Sequence, residues 1–185
     1  MVSDDKLKWT VGENKLVAHT PVFDVYTREE CSATGVCGNY IAVDAPDWVM
    51  TIPVLGDDFV LVKQWRHASE CITVEFPGGV VDGDEDPAKA SARELEEETG
   101  FRPGRLIKLG QTSPNPALFN NRLHVYLALD LEDTKAQHLD DDEVLECLRL
   151  PIRQVLDDYG NEQYTHGLMG TALAFYLRYV LGDKL

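Results

Sequence analysis

The apolar runs at 48–55 and 59–65 flank the turn-forming triplet Gly56, Asp57 and Asp58, a pattern that predicts two strands joined as a hairpin. A third run, 72–76, predicts a strand leading into Pro77, Gly78 and Gly79, where glycines let backbone approach a ligand or ion closely. Upstream, short strands are expected at 6–10, 15–19, 22–28 and 39–43, with a loop or turn at 31–35. Downstream, strands are expected at 106–111, 123–131 and 145–150, separated by a polar loop at 113–122 and an acidic one at 132–143.

The period changes from two to 3.6 in three places. Asp86 as N-cap, Pro87 in the first turn and Gly100 as terminator predict a helix between them. Pro151 opens a second helix carrying Ile152, Val155 and Leu156 on one side, and a third, near 168–181, repeats Leu168, Ala172, Phe175 and Tyr179 as a core stripe. One helix among strands and two at the end fit an α/β/α sandwich without proving it. Pro46 and Asp47 mark a boundary between an N-terminal β-subdomain, 1–46, and the remainder, 47–185.

The first of these helices is chemically odd. Eight residues between Asp82 and Glu98 are acidic, offset by Lys89 and Arg93 alone. On a helical wheel Ala88, Ala92, Leu95 and Thr99 form a core stripe, while Glu94, Glu97 and Glu98, spaced i, i+3, i+4, share another face. Ala90, one turn before Glu94, is expected to leave that face uncrowded, and Arg93 lies beside Glu96 and Glu97, within reach of a bidentate contact to one of them. Like charges so placed repel and raise one another's pKa. Either the face is merely solvated, or it holds a hard divalent cation, which takes oxygen ligands.

The net charge of −15 argues against nucleic-acid and anionic-membrane partners, since counterion release and attraction both fail. It also sets a problem for any anionic substrate, which bound cations would resolve. Cys31, Cys37, Cys71 and Cys147 show no CxxC spacing and read as free thiols of a reducing, cytoplasmic compartment, with a disulfide framework not expected. The N-terminus has no apolar stretch of signal-peptide type.

Gly79, five residues, Glu85, seven residues, then Arg93-Glu94-Leu95-Glu96-Glu97-Glu98-Thr99-Gly100-Phe101 resembles the Nudix box at every specified position. The resemblance implies an α/β fold, an α/β/α sandwich around a mixed sheet, and metal-dependent hydrolysis of a diphosphate joined to another group. It implies Glu94, Glu97 and Glu98 with the Gly78 carbonyl as metal ligands, for Mg2+ with Mn2+ as the alternative. Glu85 is ranked as an orienter of Arg93 or a helix cap ahead of a ligand, and Glu96 as solvated.

The flanks resemble the ADP-ribose pyrophosphatase and nucleoside diphosphate sugar hydrolase subgroup. There the position of Arg66 contacts substrate phosphates and that of Glu75 lies near the active site. Asn115 and Pro116 fall in a proline-bearing loop of that subgroup, which departs here from the form commonest in ADP-ribose pyrophosphatases and, with Asn120, Asn121 and Arg122, is more similar to nucleotide-sugar hydrolases of broader range. ADP-ribose and GDP-mannose are the substrate types that the resemblance implies. The subgroup's general base comes from an acidic loop, which makes Glu143 the first choice and Asp141 the second, against an ordinary acidic surface. Homodimers with exchanged N-terminal strands are common there, and Trp9 would then stack a base or simply pack. A nucleotide-sugar small molecule is the implied partner. Other readings are a Nudix hydrolase of nucleoside triphosphates or dinucleotides, and a sensor that binds nucleotide sugar without cleaving it.

Overall fold

The structure, a computed structural model, describes residues 4–135, 137–139 and 143–182. The chain divides into two compact units, one formed by 47–112 with 123–185, the other by 1–46 with 113–122.

In the larger unit the apolar runs become strands of one mixed sheet: β5 (Trp48–Leu55), β6 (Asp58–Arg66), β7 (Cys71–Glu75), β8 (Phe101–Thr112), β9 (Leu123–Asp133) and β10 (Leu145–Pro151). Their order is β10-β6-β5-β9-β8, with β7 also paired to β6. β5 and β9 run parallel, Trp48 opposite Leu123 through Pro53 opposite Ala128, and the other pairings are antiparallel. Both central strands are apolar on both faces because both faces are covered. On one side Met50, Ile52, Phe59, Leu61, Leu123 and Val125 pack against α2 (Ile152–Asp158) and α3 (Gly167–Leu181). On the other, Val49, Val81 and Tyr126 meet Ala90 of α1 (Pro87–Thr99). The alternation along β5 and β9 thus divides neighbouring residues between two cores, which is the α/β/α sandwich.

α1 begins and ends as its caps require. Asp86 Oδ1 accepts from the Ala88 N–H at 2.7 Å, Pro87 opens the first turn, and Gly100 closes the helix at φ 71° with its N–H on the Glu96 carbonyl. The buried face is rotated from the expected stripe: Ala90, Ser91, Leu95, Glu98 and Thr99 are buried, and Ala88 and Ala92 only half so. Ala90 is therefore core, not a spacer. Ser91 is admitted because Thr51 on β5 bonds its Oγ at 2.5 Å and its carbonyl at 3.1 Å, satisfying polar atoms that the sequence pattern treats as neutral. In α3 the buried stripe is Met169, Ala172, Leu173 and Tyr176, while Tyr179 is exposed.

The smaller unit is antiparallel. β3 (Asp24–Ser32) pairs with β1 (Trp9–Val11), β2 (Lys15–His19) and β4 (Cys37–Asp44). The start of the chain forms a 3-10 turn, Asp4–Leu7, ahead of β1, and β3 begins after a turn in which Thr20 Oγ1 accepts the Phe23 N–H. Residues 113–122 join this unit through the Val43 N–H on the Leu118 carbonyl and Asn120 Nδ2 on Asp44.

One expectation about the cysteines is overturned. Cys31 and Cys37 form a disulfide. The strands extend further into the expected loop, and the β3–β4 register sets Cys31 directly opposite Cys37, with Cα atoms 4.1 Å apart. A six-residue spacing across a hairpin turn carries no such meaning in one dimension. Cys71 and Cys147 are free, and cysteine usage no longer argues for a reducing compartment. No helix among the described residues is long and apolar enough to cross a membrane.

Candidate active site

The site is built where the segment after β7 folds back along β5. The Thr51 N–H donates to the Pro77 carbonyl and the Val49 N–H to the Gly79 carbonyl, both at 2.9 Å. Extended backbone alternates, so both polar groups of Gly78 turn the other way, toward α1. The Gly78 N–H accordingly reaches Glu98 Oε2 at 2.9 Å, and the Gly78 carbonyl, the expected metal ligand, faces the same side. Gly78 is required by contact with backbone, whereas a side chain at Gly79 would displace the Glu94 carboxylate. A Cβ on Gly78 would stand 2.2 Å from the Val49 carbonyl oxygen, and one on Gly79 would stand 2.5 Å from the Glu94 carboxylate.

Arg93 gathers the acidic residues. Its Nε and Nη2 bond Glu85 at 3.3 and 3.0 Å, Nη1 bonds Glu94 at 2.9 Å and Glu97 at 3.0 Å, and Nη2 also reaches the Val80 carbonyl. The bidentate partner is thus Glu85, not Glu96 or Glu97. Glu96 is not simply solvated either, since Arg102 holds it through two bonds of 2.6 and 3.0 Å, an ion pair made possible by the strand that follows Gly100. Arg93 itself ties the loop before α1 to the helix, which makes it a positioning residue for the glutamates.

Glu98 is 3% exposed and Glu94 half-buried. Burial, relieved in part by the Gly78 N–H and aggravated by Glu94, Glu143 and Glu75, pushes the Glu98 carboxyl up to about 8. Burial also lifts Glu94 to about 7, with Arg93 opposing and Glu97 and Glu143 assisting. Among the described residues no three His, Cys, Asp or Glu side chains are drawn together tightly enough to grip a metal ion. The donor set nonetheless fits a hard divalent cation. It offers carboxylate oxygens and a backbone carbonyl, and the acids outnumber the one guanidinium, Arg93, that binds among them. Glu94, Glu97, Glu98 and the Gly78 carbonyl are the groups that would hold it.

The glycine segment also borders a cavity of about 240 Å³, lined by Arg66, Gly78, Gly79, His166 and the apolar Trp48, Leu123 and Leu168. Arg66 is aimed by Glu75, whose wholly buried carboxylate takes Nε and Nη2 at 2.8 Å each and Thr73 Oγ1 at 2.7 Å. Glu143 lies close enough to Arg66, Glu94 and Glu98 to perturb all three. Asp141 lies outside the described residues. The segment before it is pinned to the end of α1, where the His138 N–H reaches the Glu97 carbonyl at 2.9 Å and Gln137 Nε2 the Glu98 carbonyl.

Arg66, Glu75, Gly78, Arg93, Glu94, Glu97, Glu98 and Glu143 therefore belong to one unit. Trp9, Asn115 and Pro116 belong to the other. Trp9 packs edge-on against Tyr40, at 5.5 Å between ring centroids. Asn115 shapes a turn, its carbonyl accepting from the Leu118 and Phe119 N–H groups, and Pro116 lines a cavity of about 370 Å³ with Tyr26, Arg28 and Tyr40. Sequence reasoning missed Thr73 and His166. Thr73 carries the one available signal, standing two residues before Glu75 on the same strand face, whereas His166 is brought in only by the packing of α3.

Comparison with known proteins bears on the family and the fold. The sequence pattern of the NUDIX domain matches residues 46–167. The ADP-ribose pyrophosphatase of Bacillus subtilis is 29% identical over 151 residues, covering 78% of this chain and 82% of that protein. The ADP compounds hydrolase NudE of Escherichia coli is 29% identical over 109 residues, and the match spans 59% of this chain and 58% of that protein. A crystal structure of an ADP compounds hydrolase superposes with a TM-score of 0.84 at 25% identity, covering 95% of this chain and 96% of that one.

Proposed function

The chain belongs to the Nudix family of hydrolases, and from that premise we propose that it cleaves the pyrophosphate of ADP-ribose or a related nucleoside diphosphate sugar, giving a nucleoside monophosphate and a sugar phosphate. One arrangement carries this reading. The Gly78–Gly79 backbone borders both a cavity bearing the cationic Arg66 and two glutamates, Glu94 and Glu98, whose carboxyls burial raises, Glu94 even with Arg93 in contact. A diphosphate laid along that backbone meets both a guanidinium and cation-seeking carboxylates.

Nudix hydrolases generally use divalent metal ions, and Mg2+ is the ion proposed here, with Mn2+ as the alternative. When bound, such an ion supplies charge neutralisation and an acidified water. The chain's own residues do the rest. Glu94, Glu97, Glu98 and Gly78 supply oxygens, Arg93 fixes the glutamates relative to one another, and Arg66 binds and orients the substrate phosphates with Glu75 holding its plane. Glu143 is the proposed general base, with Asp141 second in line.

The unit of residues 1–46 with 113–122 is proposed to form a homodimer through its exposed apolar side chains, Val11, Leu16, Val17 and Ile41 among them. In such a dimer the strands of 1–46 are exchanged, and Trp9, Asn115 and Pro116 contribute to the nucleotide pocket. Phosphorus NMR of ADP-ribose, GDP-mannose and UDP-glucose with the protein and magnesium tests the function directly. Paired phosphomonoester products support it; binding without turnover selects the sensor reading, and turnover confined to triphosphates or dinucleotides selects the other enzyme reading.

A further inference from the structure

His166 immediately precedes α3, and its ring closes the cavity that also holds Arg66 and Gly78. Its Nδ1 is sealed from solvent and has no hydrogen-bond partner among the described residues, yet it stands 3.3 Å from Glu75 Oε2. A lone pair aimed at a carboxylate at that distance is repelled, whereas an N–H is attracted, so the proton of the neutral ring belongs on Nδ1. Burial keeps the ring neutral by lowering its pKa, with Glu75 opposing that shift and Arg66 assisting it. The side chain is 23% exposed, and since Nδ1 is sealed, that exposure belongs to the rest of the ring. Nε2 is then left as an acceptor.

We propose that His166 is a specificity-determining residue, held by Glu75 through Nδ1 and accepting at Nε2 an O–H or N–H of the substrate. The inference rests on the function proposed above and deepens it. Arg66 and His166 are carried by the same Glu75 carboxylate, the first through Oε1 and Oε2, the second beside Oε2. One carboxylate thereby sets both a cationic donor for phosphate and a neutral acceptor beside it. An acceptor lone pair disfavours a second anionic oxygen and favours a hydroxyl or amino group. The chemistry of the pair matches the place where a phosphate gives way to a sugar or base, with Trp48, Leu123 and Leu168 supplying the apolar wall. A site built to pair a substrate donor also rejects analogues lacking it, because the buried partner is then left unpaired.

The test measures kcat and KM for ADP-ribose in wild type, His166→Asn and His166→Ala, with melting curves to verify folding. Asparagine retains an N–H donor near Nδ1 and removes Nε2. Both variants are expected to raise KM about tenfold, the weight of one hydrogen bond, with kcat within about twofold. His166→Asn keeps the Glu75 contact and carries the test if the alanine variant fails to fold. A wild-type KM in His166→Asn overturns the inference, because the Glu75 contact alone would then account for the residue. A fall in kcat with unchanged KM overturns it as well. Failure of the wild type to hydrolyse ADP-ribose would instead overturn the functional reading and this inference with it.

Discussion

The Gly78 N–H donates to Glu98 Oε2 at 2.9 Å, and this bond eases the burial of a carboxylate that Glu94, Glu143 and Glu75 all repel. It joins the glycine segment to the buried face of α1.

That burial has a pH signature. Glu98 is raised from an ordinary 4.5 to about 8 and Glu94 from 4.5 to about 7, so both favour the protonated folded state. Their stabilising contribution is complete below about 4.5 and is lost as pH rises toward 7 to 8. In chelator, the melting temperature should fall across that window more steeply in wild type than in Glu98→Gln. Added magnesium should restore wild type chiefly at the upper end. Parallel melting profiles for the two proteins would contradict the assignment. Glu85 and Glu96, held low by Arg93 and Arg102, act in the opposite sense below that window, which is why the comparison is made against the variant.

Arg93 binds Glu85 through two nitrogens while also reaching Glu94 and Glu97. Arg93→Ala and Glu85→Gln should each lower kcat/KM, and the double variant should show a coupling of roughly 1 kcal/mol or more. Strict additivity would mean that the two side chains act separately.

Gly79→Ala introduces a Cβ where the Glu94 carboxylate now lies, at 2.5 Å. Far-UV circular dichroism should stay native while magnesium affinity and kcat/KM each fall by about tenfold or more, the scale of disturbing a ligand's support. Full activity in this variant would show that Glu94 moves without consequence.

Glu143→Gln should lower kcat by on the order of 10² or more while leaving magnesium-dependent stabilisation unchanged. An unchanged kcat transfers the general-base role to Asp141 or to a group elsewhere.

Light scattering at micromolar concentration should give a dimer, and Leu16→Glu, on a fully exposed strand, should shift it toward monomer. A wild-type monomer contradicts the proposed assembly.

Much of this was legible in one dimension, because the relevant forces are local. Apolar runs placed the strands of the larger unit to within two residues, except that β8 begins five residues earlier than expected, at Phe101, and Asp86, Pro87 and Gly100 bounded α1 because caps act on adjacent backbone. The box spacing put Glu94, Glu97 and Glu98 on a single helix because helical pitch is constant. What lay beyond the sequence involved partners distant along the chain. Register set Cys31 against Cys37, and packing decided that Ala90 and Ser91, not Ala88 and Ala92, are buried. The return of the 77–79 segment along β5 turned Gly78 toward Glu98, and α3 delivered His166 to Glu75. Residue identity and short-range geometry determine which chemistry is available; long-range contacts, whose pairing no local rule encodes, decide which groups meet.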